Sequence, residues 1–247
     1  MKRYSITEVV PYYQPIVQLS TGETVMYECL ARFMKNDGTK MYPGDINHLF
    51  ENPEFLWDIF EKLFPKIIEH AHQKITIAIN IDVCSITERF FYFVEHLFQI
   101  HPEIASHIHF EVTEKNITKG MGELKSNIEQ IQKMGSKVVL DDFGTGGANI
   151  ECLEMVKFDH VKIDGQFLKA GAKTASGYKR LKLIVELLKS YNTPIVGEHI
   201  ENAGVEAIAK ALGIDYGQGF LYGEAKPLIS SPNTNAPYKQ YAEAMGQ

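Results

Sequence analysis

Short apolar runs that end in a carboxylate or another metal-friendly polar group recur along the chain. Val138-Val139-Leu140 leads into Asp141-Asp142 and then into the glycine-rich Phe143-Gly144-Thr145-Gly146-Gly147. The same pattern recurs in Val25-Met26-Tyr27-Glu28, Ile77-Ala78-Ile79-Asn80, Ile108-His109-Phe110-Glu111 and Ile195-Val196-Gly197-Glu198. Runs of this length, rich in Val and Ile, predict strands. Eight are expected, over residues 12–17, 25–32, 75–82, 109–114, 137–142, 160–164, 194–198 and 216–221. Helix-length segments separate most of them. A ring of strands whose ends converge on one polar site is the geometry of a (β/α)8 barrel with a divalent-cation site at its mouth.

The helical gaps carry their own signals. Ser85-Ile86-Thr87-Glu88 has the capping-box pattern and predicts a helix running towards Ile100. Gly135 and Gly213 stand where C-terminal caps belong. Leu181, Ile184, Val185 and Leu188 repeat at helical spacing within residues 174–191. The first gap differs. Only a turn at Ser20-Thr21-Gly22-Glu23 separates the first two strands, too short for a crossover helix, so they should form an antiparallel hairpin. The expected fold is therefore an α/β, (β/α)8 TIM-like barrel with the first strand antiparallel to the rest. It should occupy residues 1–229, with 230–247 as a peripheral C-terminal tail carrying at most a short helix near residues 238–245.

Bulk properties fit one such domain. The chain has 247 residues, 45% of them hydrophobic, enough for a large core. A net charge of -6 argues against coating a polymeric nucleic acid, which takes clustered Lys and Arg. No apolar run is long enough for a membrane span, and the N-terminus lacks the apolar stretch of a signal peptide. Cys29, Cys84 and Cys152 are odd in number and scattered, which reads as reduced thiols in a cytoplasmic protein.

Strand alternation sorts the candidate chemistry. Met26, Glu28, Leu30 and Arg32 share one face of the second strand; Tyr27, Cys29 and Ala31 share the other, where Cys29 is a small buried residue. His160, Lys162 and Asp164 share a face opposite Val161 and Ile163, which leaves Lys162 at the mouth. Gathering Glu28, Glu111, Asp141, Asp142 and Glu198 in one place would raise some of their pKa values unless cations compensate. Oxygen donors, the Asn80 carbonyl included, suit Mg2+ or Mn2+ better than zinc. Two such ions could activate a water and stabilise a leaving oxygen in a phosphodiester displacement. Any one of these carboxylates alone reads better as a solvated strand end or a cap; the set does not. The pairs His70/His72 and His107/His109 have no Cys partners at zinc spacing and are not read as metal sites.

These residues resemble the EAL-domain cyclic di-GMP phosphodiesterase family, from Gln14-Pro15-Ile16-Val17 to Lys226-Pro227. The family's Glu-Ala-Leu stands here as Glu28-Cys29-Leu30, followed by Arg32. Asp141-Asp142-Phe143-Gly144-Thr145-Gly146, Lys162-Ile163-Asp164, Gln218-Gly219-Phe220 and Glu111-Val112-Thr113-Glu114 also match. The resemblance implies that Glu28, Asn80, Glu111, Asp141 and Asp142 bind two divalent cations, Mg2+ or Mn2+. It implies that Lys162 and Glu198 position or deprotonate the attacking water, with Glu28 also counted among the catalytic groups. Gln14, Arg32 and Gln218 would contact cyclic di-GMP, and Glu114 would support the loop after Asp142, coupling it to a homodimer interface. The implied reaction is hydrolysis to linear 5′-pGpG. The departures are Cys29 for Ala, Gly197-Glu198-His199-Ile200-Glu201 for Ala-Glu-Gly-Val-Glu, Gly147-Ala148-Asn149-Ile150 after the Asp motif, and a slightly longer segment between Phe220 and Lys226-Pro227; none removes a matched catalytic residue. The rival readings are an EAL-like protein that binds cyclic di-GMP or a protein partner without turnover, and another Mg2+-dependent barrel enzyme with a Lys base.

Overall fold

The computed structural model describes residues 6–50, 52–113, 121–144 and 150–228. Its strands are β1 (Ile6–Gln18), β2 (Thr24–Lys35), β3 (Lys40–Met41), β4 (Ile77–Asn80), β5 (Ile108–Thr113), β6 (Lys137–Phe143), β7 (His160–Ile163), β8 (Ile195–Gly197) and β9 (Tyr216–Gln218). Its helices are α1 (Pro53–His72), α2 (Glu88–Ile100), α3 (Met121–Lys133), α4 (Ile150–Met155), α5 (Gly165–Lys173), α6 (Ala175–Ser190) and α7 (Ala203–Leu212). The sheet runs β1-β9-β8-β7-β6-β5-β4-β2 and closes through β1–β2 pairing. β1 is antiparallel to both neighbours, and the others that form the ring pair in parallel. The expected barrel with one reversed strand is the observed one.

The short first gap dictates that reversal. Gly22 at φ 77 makes the turn, and Gln14 comes to lie across from Glu28. Both hairpin strands run longer than the sequence pattern indicated, and β3, a two-residue strand on the outer end of β2, was not anticipated. The capping box is corrected. Ser85 belongs to a separate 3-10 turn, Val83–Ser85, capped by Asp82; α2 begins after Thr87, whose side chain makes no cap bond. α6 spans the predicted stretch, with Thr174 as its N-cap, and Gly213 ends α7 in the left-handed conformation. The tail expected at 230–247 lies outside the described residues.

Alternation splits the buried side chains in two. Cys29, Ile79, Phe110, Leu140, Val161 and Ile195 point outward into one large core shared with the helices. An apolar cavity of about 390 Å³ lies in this outer layer, bordered by Cys29, Ile81, Trp57, Phe60 and Phe90. The inward set is smaller and mixes a few apolar side chains with polar and charged ones. Ile16, Met26 and Val196 pack with Tyr216. His109 and His160 stack at 5.8 Å between ring centroids. Each sits two residues before a charged group of the mouth, Glu111 and Lys162.

That histidine layer makes the fold acid-sensitive. Burial, with His160 beside it, pushes His109 down to about 3, and burial with Lys137 nearby pushes His160 to about 4. The unfolded chain binds protons on these rings from about pH 6.5 downward. The folded chain does not until pH reaches their lowered values. Stability present above pH 6.5 is therefore lost as pH falls towards 4, by on the order of 3 kcal/mol per ring at full extent. Urea melts of the wild type should lose stability over that window. In His109→Gln the loss should be visibly smaller; an unchanged pH slope would count against neutral burial of this ring.

Candidate active site at the barrel mouth

Four strands aim a carboxylate at one point: Glu28 from the middle of β2, Glu111 on β5, Asp141 on β6 and Glu198 just past β8. Lys162 reaches their centre from β7. Its Nζ lies 3.3 Å from Glu28 Oε2, 3.1 Å from Glu111 Oε2, 3.1 Å from Asp141 Oδ1 and 2.9 Å from Glu198 Oε1. Lys162 is thus not at the open mouth, as its strand position suggested, but beneath it and 1% exposed. Glu28 is also held by neutral donors. Asn80 Nδ2 donates to its Oε1 at 2.7 Å and Gln218 Nε2 to its Oε2 at 2.6 Å. Gln218 Nε2 lies 3.1 Å from Gln14 Oε1, and Gln14 donates to the Gly223 carbonyl at 3.3 Å.

Asp141 and Asp142 are adjacent, so regular alternation would send them to opposite faces. The β6–β7 register shifts between Leu140 and Phe143, and Asp142 takes φ 59. A bulge with an Asp in the left-handed region re-aims the second side chain. Asp141, Asp142 and Glu198 then each offer an oxygen within 4.8 Å of the others.

The charges do not balance. Four buried carboxylates face one ammonium. Burial alone would lower the Lys162 pKa, but Asp141, Glu111, Glu198 and Glu28 together hold it well above the usual lysine value. Burial would raise Glu28, yet Lys162 and the Gln218 and Asn80 donors keep it below its ordinary value. Glu111 is pushed well up by burial and by the charges of Glu28 and Asp141, and Asp141 is raised by burial, Glu28 and Asp142. Burial, with Asp141 and Glu28 nearby, pushes Glu198 to about 8. The groups share too few positive charges to balance them all, and Glu28, with the most donors, is the one of the four held below its ordinary value. Asp141 Oδ1 is buried and lacks a directed hydrogen bond despite its closeness to Lys162. Buried oxygens with surplus negative charge and an unsatisfied acceptor fit hard divalent cations.

Above the cluster lies a cavity of about 290 Å³, lined among others by Gln14, Leu30, Asp142, His199, Gln218 and Phe220. The apolar cavity of the outer layer opens elsewhere, although Asn80 borders it. Arg32 is not part of the ion cluster. It lies further along β2, its guanidinium 5.4 Å from the Tyr12 ring and 4.9 Å from the Tyr42 ring. Glu114 and residues 145–149 lie outside the described residues. His199 and Phe220 were not singled out as site residues by the pattern. His199 has φ 52, and its side chain occupies the space over Gly165, where an added Cβ would come within 2.3 Å of it. Asp164 caps α5, accepting from Gln166 N at 2.8 Å, and still offers an oxygen within 4.8 Å of donor atoms of Glu198 and His199.

The EAL domain family model matches residues 3–225. The chain belongs to the EAL domain family. It is 32% identical over 166 residues to "Cyclic di-GMP phosphodiesterase PdeF" of Escherichia coli (strain K12), covering 67% of this chain and 22% of that protein. It is 28% identical over 232 residues to "Probable cyclic di-GMP phosphodiesterase PdeB" of the same organism, covering 89% of this chain and 43% of the relative. The chain therefore spans less than half the length of these two relatives. The solved structure "PaMucR Phosphodiesterase, c-di-GMP complex" superposes with a TM-score of 0.80 at 26% identity, over 92% of this chain and 94% of that one.

The buried cluster makes Lys162 a stability residue. Glu198, at about 8, binds a proton in the folded state that the unfolded chain lacks between about pH 4.5 and 8. Stability in chelator should therefore fall as pH rises through that window. Lys162→Met leaves the carboxylates uncompensated and should cost about 3–5 kcal/mol at pH 8.5, less at pH 6 where protons replace the ammonium. Urea melts at the two pH values read both numbers, and a variant as stable as wild type at pH 8.5 would refute the ion cluster.

Proposed function

We propose that this chain hydrolyses cyclic di-GMP to linear 5′-pGpG, with two divalent cations, Mg2+ or Mn2+, held at the barrel mouth. The observation that carries the reading is the surplus of buried carboxylates around Lys162 on an EAL-family barrel. The names of the relatives and of the superposed structure support the same substrate. Glu28, Asn80, Glu111, Asp141 and Asp142 are the proposed ligands. When bound, the cations supply Lewis acidity and lower the pKa of water.

The chain's own residues do the rest. Lys162, fixed by four oxygens, holds a positive charge beneath the reacting phosphate and orients water. Glu198 accepts the proton that water gives up as it adds to phosphorus. The P–O3′ bond breaks, and the 3′ oxygen takes up a proton. Glu198 must be ionised to act as base. With cations held by the neighbouring carboxylates, its pKa would fall from about 8 towards the working range. Gln14 and Gln218 line the cavity above and contact the dinucleotide. Arg32 offers a permanent cation at the outer end of β2 for the second phosphate. Glu114 as loop support, a homodimer and a cytoplasmic setting belong to the same proposal and rest on the family resemblance. Among the described residues, no helix is long and apolar enough to cross a membrane.

Purified protein with cyclic di-GMP and Mg2+ should yield 5′-pGpG on chromatographic separation, and chelator should abolish it. Ca2+ should support turnover poorly, because its longer bonds spread the site. Asp141→Asn keeps the shape and loses a charge, so hydrolysis should fall at least ~10–100-fold with the circular dichroism unchanged and nucleotide binding partly kept. Wild-type hydrolysis by a folded Asp141→Asn protein would remove the cation site from the mechanism. A wild type that binds the nucleotide and never cleaves it would replace the enzyme reading with a receptor.

A further inference from the structure

We propose a second metal site, of zinc class, at the barrel face opposite the mouth, formed by His72, His101 and Glu103. His72 is the last residue of α1, His101 is the C-cap of α2, and Glu103 lies in the 3-10 segment Pro102–His107 that follows. In a barrel of this kind the helices run against the strands, so helix C-termini collect at the face away from the strand ends. The site is thus remote from Lys162 and independent of the proposed hydrolysis.

The geometry is close to that of a coordination polyhedron. Glu103 Oε1 lies 3.1 Å from His72 Nδ1 and 3.6 Å from His101 Nδ1. One donor atom from each residue falls within 4.8 Å of the others. A tetrahedron with bonds of ~2.0–2.1 Å has edges of roughly 3.3–3.4 Å, so two edges are nearly in place. The imidazoles meet edge to face, with centroids 4.7 Å apart and planes at 86°. They can therefore point nitrogens at a common centre without stacking. Pro102 between His101 and Glu103 restricts the backbone that carries two of the three donors.

The competing explanation is a pair of ordinary ion pairs. In that reading one carboxylate oxygen serves both rings, at 3.1 Å from His72 Nδ1 but at 3.6 Å, beyond hydrogen-bond distance, from His101 Nδ1. A metal would take that oxygen and a nitrogen of each ring at once. The surroundings also favour a cation, because α1 and α2 both end here and helix C-termini carry partial negative charge. Two imidazoles and one carboxylate match Zn2+ or Co2+, with water in the fourth position, far better than Mg2+. The site draws only His72 from the sequence pair His70/His72. His70 is buried, with its ring edge to face against Tyr13 at 4.9 Å.

Cobalt separates this site from the mouth. A four-coordinate site with nitrogen donors absorbs strongly in the visible, whereas six oxygens give only a weak band. Full-length protein in excess Mg2+, titrated with Co2+, should develop the strong band to one equivalent and lose it on adding Zn2+. Zn2+ should raise the melting temperature by several degrees, since it binds the folded state alone (roughly 2–4 °C per kcal/mol for a chain of this size). His72→Ala and His101→Ala should lose both effects and keep Mg2+-dependent hydrolysis within twofold of wild type, which also reports folding. Glu103→Gln, altered at an exposed side chain, gives a variant that folds in any case and should bind Co2+ at least tenfold more weakly. Asp141→Asn should keep the band. No strong band in the wild type, a band that survives in His101→Ala, wild-type Co2+ affinity in Glu103→Gln, or one lost in Asp141→Asn would each overturn the site.

Discussion

One ammonium group enclosed by four carboxylates is the constraint on which the rest of this barrel depends. Lys162 can be buried only because Glu28, Glu111, Asp141 and Glu198 surround it, and they can converge only because Lys162 is there. A barrel interior of this kind contributes little to stability, since desolvating charges offsets much of their attraction. The apolar stabilisation comes instead from the outer layer between strands and helices, where Phe60, Phe90, Phe110 and Leu140 pack. The protein thus separates its two tasks by strand parity. Outward residues hold the ring closed, and inward residues carry charge.

Parity is also why so much could be read from sequence. The positions of eight strands, the reversed first strand and the face shared by Met26 and Glu28 follow from local alternation and one short turn, and the closed ring agrees with all three. Glu28, Asn80, Glu111, Asp141 and Glu198 were legible because each ends an apolar run. Gathering them was legible only as a set, and the roles given to them rest on family resemblance.

What escaped depends on closure or on backbone geometry, neither of which leaves a periodic trace. The bulge that lets Asp141 and Asp142 serve one site needs a left-handed Asp142, and no hydrophobic pattern encodes that. Lys162 was placed at the rim because parity gives a face and not a depth. Ser85 matched a capping box in spacing but is used by the turn that Asp82 caps. His72 and His101 are 29 positions apart in sequence, so only the packing of α1 beside α2 brings their rings together.

His199 over Gly165 has a consequence for how this rim can change through descent. The two positions share one volume, so their substitutions cannot be accepted independently. A side chain at 165 is blocked while His199 is present. A glycine at 199 would open that space and also remove a left-handed strain at the edge of the cavity. In this structure a side chain at 165 can be accommodated only if residue 199 moves or shrinks.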